Sequence, residues 1–237
     1  MCGRSSLTLN EKQLEERFGS TFYSEDLERY NPLPTFNIAP THLHPVISMD
    51  DPEHFVYKQW GLIPFWAKAA SIGSKMINAR VETILEKSVF KSTLKKQRCL
   101  VPFDGYYEWM KHGKTKIPHR ITLKDSSAFA IAGLSASWKS PTGEQIESFT
   151  VITQPASASI EHIHDRMPAI LLKEQERLWL SDEISEAELL QLIQPLPDEL
   201  LRFYTVSDAV NKVSNNDPTL IEPFEYNEGN DKQLSLF

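Results

Sequence analysis

The middle of the chain carries a run of strand-like segments, and this run constrains the fold more than any other feature. Four segments follow one another with turns between them, at 98–110, 119–125, 128–138 and 147–154. Strands that succeed one another across turns favour antiparallel pairing over the crossover connections that parallel strands need. The centre of the fold is therefore predicted to be a curved, largely antiparallel sheet.

Helical segments flank this sheet. The stretch 9–20 predicts a short amphipathic helix, because Leu14 and Phe18 lie four residues apart and Gly19 can end it. Thr8 or Asn10 is expected to cap its start. Further helices are predicted at 78–97, 172–180 and 185–194. The proline-rich stretch 31–46 is predicted to be irregular. Strands are predicted within 54–66, where Gly61 and Pro64 break the strand, and at 202–210. Together these elements predict a single α+β domain without internal repeats.

Composition narrows the class of protein. With 237 residues, 41% hydrophobic and 24% charged, the chain is long enough for one substantial core or two small ones. Two cysteines, Cys2 and Cys99, cannot form a disulfide framework, which favours a reducing, cytoplasmic setting. Charged residues from Arg4 onward exclude a secretory signal, and the apolar stretch 126–138 is too short to span a bilayer. A soluble intracellular protein, most simply a monomer, is expected.

The charge is unevenly distributed along the chain. Its net value is −7, yet residues 58–120 hold 13 Lys and Arg against 4 Asp and Glu, while 181–237 hold 3 against 12. A locally positive surface suits phosphate binding more than the total charge suggests. A merely solvated charged face explains the same pattern, so the charge alone does not decide between the two readings.

Four short stretches have the residue types expected of a catalytic site, at 2–4, 77–83, 105–109 and 162–168. They contribute a nucleophile (Cys2), a neutral hydrogen-bonding amide (Asn78) and two acid/base groups (Glu108 and His164). Each has an ordinary structural explanation by itself, such as a helix cap, an exposed strand position or a packed histidine. The His162/His164 and His42/His44 pairs lack the companions of a metal motif, and no glycine-rich phosphate loop occurs. No metal and no cofactor are predicted.

In chain order, a set of short motifs resembles one known family. The sequence is similar to the SRAP family, the SOS-response-associated peptidases or abasic-site-processing proteins, from residue 2 to about 224. The matching motifs are MCGR (1–4), FNIAPT (36–41), WGLIPFW (60–66), INARVET (77–83), FDGYYEW (103–109), HDRMP (164–168) and VSDAVNKVSNNDPTLIEP (206–223). The resemblance implies one SRAP domain over 1–224 with a barrel-like sheet and flanking helices, followed by a flexible tail at 225–237.

The resemblance also implies a chemistry. Proteins of this family capture an abasic site in single-stranded DNA, whose opened sugar presents an aldehyde. The α-amino group of Cys2, freed by removal of Met1, would form a Schiff base, and its thiol would close a thiazolidine ring. An unperturbed α-amino pKa of about 7.7–8.0 leaves part of the amine neutral at pH 7. A basic neighbourhood is expected to lower the pKa of the thiol.

Roles for the other catalytic residues follow from the same resemblance. Glu108 would shuttle protons, His164 would protonate the sugar ring oxygen, and Asn78 would hold the amine or a sugar hydroxyl. The same residues would allow the chain to remove its own Met1, a hydrolase or protease activity, although a host aminopeptidase would serve equally. A lyase activity on the lesion is a further possibility within the family.

Eight residues match positions that contact DNA in the family. Arg4, Arg80 and Arg166 would meet phosphates. Asn37, Pro40, Phe65 and Trp66 would form a groove wall and an aromatic wedge, with Phe65 standing where some relatives carry tryptophan. Thr153 would contact the backbone. Trp60 and Trp109 are expected to pack in the core instead.

Two other functions stay open from the residues alone. An N-terminal-nucleophile amidohydrolase would also expose a cysteine after processing, but it has no use for the positive segment. A non-catalytic single-strand-binding adaptor would leave Cys2 incidental. Trapping, or failing to trap, a covalent adduct with abasic DNA separates these three.

The chain ends in QLSLF, which resembles the pentapeptide that docks bacterial replication and repair proteins on the sliding clamp. Gln233 would be held by hydrogen bonds while Leu234, Leu236 and Phe237 enter an apolar pocket. The alternative is that these residues fold back onto the domain. Clamp binding would place the protein at bacterial replication forks.

Overall fold

A computed structural model describes residues 2–30 and 33–226, and it contains strands and short helices in the proportions of an α+β fold. The strands in these ranges are β1 (Ser5–Leu7), β2 (Thr21–Phe22), β3 (Thr35–Ile38), β4 (Leu43–Ser48), β5 (Asp51–Trp60), β6 (Asn78–Arg80), β7 (Arg98–Phe103), β8 (Gly105–His112), β9 (Thr115–Leu123), β10 (Phe129–Lys139), β11 (Gln145–Pro155), β12 (Arg166–Pro168), β13 (Ile170–Leu171) and β14 (Leu201–Thr205). The helices are α1 (Glu11–Phe18), α2 (Ser24–Arg29), α3 (Ser88–Lys96), α4 (Lys173–Leu180) and α5 (Glu186–Leu192).

The strands form two sheets. The larger runs in the order β12-β11-β10-β7-β4-β5-β2, and a further pairing between β11 and β5 closes its middle into a barrel. The smaller has the order β14-β9-β8-β1-β3. Most pairings are antiparallel, while β2–β5, β5–β11 and β6–β11 are parallel. The predicted α+β class with a curved, largely antiparallel, barrel-like core is confirmed.

The core lies inside the barrel and under the helices. Its largest fully buried side chains include Trp60, Trp179 and Phe103. A smaller apolar cluster, centred on Tyr107 and Val210, packs the chain's last described turns onto the outer face of β8. Helix α1 begins and ends as predicted. The Asn10 side chain accepts the Gln13 N–H, and Gly19 closes the helix at φ 71°, a left-handed conformation that glycine adopts without strain.

Three predicted elements are wrong in detail. The segment 78–97 begins as strand β6 and a 3-10 turn (Val81–Thr83), and only Ser88–Lys96 is an α-helix, because pairing with β11 overrides helical propensity. The segment 98–110 is two strands, β7 and β8, which belong to different sheets. The strand predicted at 202–210 ends at Thr205, where a 3-10 turn (Asp208–Asn211) follows. The segment 31–46, predicted as an irregular stretch, also contains β3 and the start of β4, because Thr35–Ile38 pairs with β1, and helix α2 had no specific prediction.

A buried polar network fixes the N-terminal strand against β8. Asp104 accepts hydrogen bonds from the Ser6 hydroxyl at 2.7 Å and the Thr8 backbone N–H at 2.8 Å, and forms an ion pair with Arg120 at 2.9 Å. Gly105 leaves room for the Arg120 guanidinium, since a Cβ there would lie 2.7 Å from Nε. Charge-assisted bonds of this kind hold a strand more firmly than neutral ones, so the path of residues 2–7 is well determined.

No helix among the described residues is long and apolar enough to cross a membrane.

Candidate active site

The five-stranded sheet brings Cys2 to Glu108. Strand β1 lies antiparallel to β8 with Ser5 opposite Tyr106, and the Tyr107 N–H donates to the Arg4 carbonyl at 2.9 Å. Because the two strands run antiparallel in this register, the residues that precede β1 lie beside the part of β8 that follows Tyr106. Cys2 is buried, and its thiol is electrostatically coupled to the Glu108 carboxylate.

The larger sheet supplies the other half of the site. Strand β11 pairs with β6, placing Asn78 opposite Val151, and with β12, which begins two residues after His164. The two halves meet where His164 Nε2 lies 3.8 Å from Glu108 Oε2. The candidate site therefore sits at the junction of the two sheets. Neither sheet carries a complete set of the four predicted catalytic residues.

A cavity of about 570 Å³ opens onto this junction. Its lining combines the acid/base pair with aromatic, cationic and amide side chains: Glu108, Trp109, Lys111, Lys116, His164 and Asn211. Trp109 is half-buried and donates from Nε1 to Asn211 Oδ1 at 2.8 Å. Trp60 is a core residue as predicted, and Trp109 packs partly buried against the smaller apolar cluster while also forming a wall of the cavity.

The Glu108 carboxyl is tuned toward neutral pH. Burial raises its pKa to about 7, and the charge of Asp165 also acts to raise it. A group that is comparably populated as acid and as base near pH 7 can transfer protons in both directions. Glu108 is therefore suited to successive donation and acceptance in one reaction.

The Cys2 thiol is held in its neutral form. Burial raises its pKa to about 12, and the nearby Glu108 carboxylate adds to the rise. This differs from the expectation that a basic neighbourhood would lower the thiol pKa. After burial, the largest effect on the thiol pKa comes from the acid Glu108. The thiol therefore needs a base to take its proton when it reacts.

His164 is oriented by its own backbone. The Arg166 N–H donates to Nδ1 at 3.0 Å, Asp165 Oδ1 also lies 3.0 Å from Nδ1, and Nε2 is the nitrogen that faces Glu108. Burial lowers the pKa of His164, with the Asp165 carboxylate acting in the opposite direction. In its imidazolium form the ring presents an Nε2–H donor toward Glu108 and the cavity.

Two further buried polar groups point to a ligand. Both amide atoms of Asn78 and the hydroxyl of Tyr106 are buried without a hydrogen-bond partner among the described residues. Leaving such a group unsatisfied costs about 1–3 kcal/mol, so in a native fold it calls for an explanation. Tyr106 is also coupled electrostatically to Cys2 and Glu108. Tyr106 is not among the site residues predicted from the sequence, although the two-residue period of a strand places it on the same face as Glu108.

The predicted DNA-contacting residues fall into two groups. Arg80 is exposed at the end of β6, and Phe65 and Trp66 are 80% and 58% exposed. These two aromatics border a separate groove of about 930 Å³, which does not include the residues of the catalytic cavity. Pro40 is half-buried.

The other predicted contacts are engaged within the fold. Arg166 is buried, forms an ion pair with Glu82 and donates to the Thr153 carbonyl at 2.7 Å. The buried Asn37 amide donates to the Asn215 carbonyl at 2.8 Å and accepts from Arg4 at 2.9 Å. In this structure these residues brace the walls of the site, and their contact with DNA stays a prediction. The tail residues Gln233, Leu234, Leu236 and Phe237 lie outside the described residues.

Comparisons with known proteins bear on the whole chain. The family model described as SOS response associated peptidase (SRAP) matches residues 1–213. The abasic site processing protein YoqW of Bacillus subtilis is 42% identical over 225 residues, covering 94% of this chain and 99% of its own length. The abasic site processing protein HMCES of Gallus gallus is 32% identical, covering 95% of this chain and 78% of its own. A crystal structure from Bacteroides thetaiotaomicron superimposes with a TM-score of 0.88 at 31% identity, over 94% of this chain and all of that one.

Proposed function

The chain belongs to the SRAP family, and from that premise we propose that it captures abasic sites in single-stranded DNA as a covalent thiazolidine on Cys2. The relatives are named for abasic site processing, which supports the substrate. The observation that carries the chemistry is that Glu108 and His164 face each other at one cavity, that Cys2 is buried within electrostatic reach of Glu108, and that the pKa of Glu108 is near 7. The adduct would shield the lesion during replication.

The reaction begins on the sugar. The imidazolium form of His164 gives its Nε2 proton to the ring oxygen as the ring C–O bond breaks, and the anomeric hydroxyl loses its proton to water, which leaves the open aldehyde and a neutral imidazole. The α-amino nitrogen of Cys2, freed by removal of Met1, attacks the aldehyde carbon. Protonated Glu108 then gives its proton to the departing hydroxyl, so that water leaves and a Schiff base remains.

Ring closure uses the same carboxyl in its other form. Glu108, now a carboxylate, accepts the thiol proton as sulfur attacks the carbon of the protonated Schiff base, whose nitrogen keeps its proton and becomes the ring amine. Amine and thiol belong to one residue, so closure is intramolecular and gains the corresponding effective concentration. The unpartnered Asn78 amide would bond a sugar hydroxyl, and the Tyr106 hydroxyl would donate to the sulfur as charge develops on it.

The decisive experiment incubates the processed protein with an abasic single-stranded oligonucleotide and resolves the products on a denaturing gel after heating. A heat-stable adduct with the mass of protein plus DNA supports the proposal. An adaptor would bind the oligonucleotide without an adduct, and an amidohydrolase would do neither. Mass spectrometry of protein purified from cells lacking methionine aminopeptidase tests whether the chain removes its own Met1, and strand breakage in the same gel tests a lyase activity.

Arg80→Ala is expected to weaken binding without affecting the chemistry. Arg80 is exposed at the end of β6, and each phosphate contact to single-stranded DNA contributes about 0.7 to the slope of log affinity against log salt. The variant should lose about that much slope, with an unchanged adduct rate at saturating DNA. Arg177→Ala on α4, which removes an equally exposed arginine, is the matched control. Equal slopes for Arg80→Ala and wild type would remove Arg80 from the interface.

The C-terminal QLSLF supports a second partner, the bacterial sliding clamp. We propose that the domain ends near residue 224 and that the tail follows it. The described residues end at Tyr226, whose hydroxyl donates to the Val206 carbonyl at 2.9 Å. The synthetic peptide NEGNDKQLSLF is expected to bind purified clamp with micromolar affinity in a fluorescence assay. A peptide with alanine at the positions of Leu236 and Phe237 is the control. Absence of binding by both peptide and whole protein at tens of micromolar would retire this partner.

A further inference from the structure

A two-stranded ribbon extends the catalytic strand beyond the cavity. Strands β8 and β9 continue past Glu108 to the turn at Gly113, and this tip is strongly cationic. Its lysines are Lys111, Lys114 and Lys116, and no aspartate or glutamate occurs between residues 109 and 123. The charge is therefore not balanced within the ribbon itself.

Two of these lysines are placed directly against each other at the cavity. Lys111 pairs with Lys116 across β8 and β9, so their side chains share one face, the face that also carries Trp109. Both line the cavity that contains Glu108 and His164. Like charges directly opposite on neighbouring strands destabilise a sheet. Neither lysine forms an ion pair with any residue in the described ranges.

The expected phosphate ligands do not serve this part of the cavity. The guanidinium of Arg166 is committed to Glu82, and that of Arg4 donates to Asn37 and to the Val210 carbonyl. Arg80 is exposed but does not line the cavity. Lys111 and Lys116 are thus the cations that the cavity itself offers to an anionic ligand.

We propose that Lys111 and Lys116 form a phosphate-binding pair at the mouth of the cavity, which grips the DNA backbone beside the abasic sugar. The inference rests on the proposed function and deepens it. Three residues of strand separate Lys111 from Glu108, about 10 Å at 3.4 Å per residue, so the phosphate belongs to a nucleotide close to the lesion. A bound phosphate would relieve the repulsion between the lysines. Because lysine contacts phosphate as a point charge without fixed geometry, the grip is independent of sequence.

The test compares two double variants on undamaged single-stranded oligonucleotide, followed by fluorescence anisotropy from 50 to 200 mM salt. K111Q/K116Q should lose about 0.7 from the log affinity–log salt slope, the contribution of the one phosphate that the pair holds, and bind about 10-fold more weakly at 50 mM. K124Q/K173Q removes the same charge from exposed lysines bordering a different groove and should keep the wild-type slope. K111R/K116R should restore the slope, because charge and not shape is required.

Two results would overturn the lysine pair: an unchanged slope for K111Q/K116Q, or an equal loss in K124Q/K173Q, which would indicate general electrostatics. Thermal unfolding of each variant verifies that the fold persists, and K111R/K116R supplies a folded comparison if the glutamine variant is unstable. Wild-type adduct formation on abasic DNA is measured in parallel. Failure of the wild type to crosslink rejects the proposed function. The slope measured on undamaged DNA decides only whether the lysine pair binds phosphate.

Discussion

Cys2→Ala is expected to abolish the heat-stable adduct with abasic DNA while leaving affinity for undamaged single-stranded DNA within a few-fold of wild type. The substitution removes the only thiol at the junction of the sheets and retains the α-amine, so the reaction stops at a Schiff base. Borohydride should therefore trap a reduced imine with Cys2→Ala, and a denaturing gel should show no adduct without it.

Cys99→Ala is the matched control, because Cys99 is the other buried free cysteine and lies on β7 in the larger sheet. It should crosslink as wild type does. An uncleavable N-terminal extension should abolish even the borohydride-trapped product, since it removes the amine. Normal crosslinking by an extended chain would reject the α-amine mechanism.

Glu108→Gln is expected to slow adduct formation by about 10²–10⁴-fold at saturating DNA, the range attributed to a positioned acid/base group. Burial raises the pKa of Glu108 to about 7, and dehydration starts from the protonated carboxyl, so the wild-type rate of the Glu108-dependent step should fall as pH increases through 7. The glutamine variant should lack that inflection. Glu161→Gln, an exposed acid that does not line the cavity, should retain both rate and pH profile. Weakened DNA binding by Glu108→Gln at unchanged rate would contradict the assignment.

The same substitution should stabilise the fold at neutral and higher pH. Because the folded pKa of Glu108 is about 7 against an ordinary 4.5, the folded state binds more protons than the unfolded state between these values. Stability contributed by this group therefore falls as pH rises from 4.5 to 7, and the full cost is present above 7. Glu108→Gln should gain stability above pH 7 and show no gain below about 4.5, measured by denaturant unfolding. A catalytic carboxyl held at a cost to stability is the expected trade-off.

The sequence allowed the catalytic candidates to be named, but not their assembly. Cys2, Glu108 and His164 could be predicted from short motifs whose residue types already carry the chemistry. The burial of Arg166 could not, because its partner Glu82 lies 84 residues away and only the fold brings them together. The position of Tyr106 near Cys2 depends on the register of β1 against β8, and the Lys111–Lys116 pair depends on that of β8 against β9. No local pattern supplies either register. The strand at Asn78 was predicted as helix because its β partner, β11, is distant in the chain.

The division of the site between two sheets also determines when the protein acquires reactivity during its synthesis. Cys2 precedes His164 by 162 residues, and at about 5–20 residues per second the ribosome needs about 8 to 32 seconds to bridge them. Until His164 has been synthesised, Cys2 lacks the imidazole that we propose opens the sugar, and the two sheets that form the site are incomplete. Long-range pairing of this kind forms late, because loop closure must precede the contacts that reward it. If the proposed function holds, catalytic competence coincides with completed folding, and a nascent chain near damaged DNA would not yet carry the residues proposed to capture it.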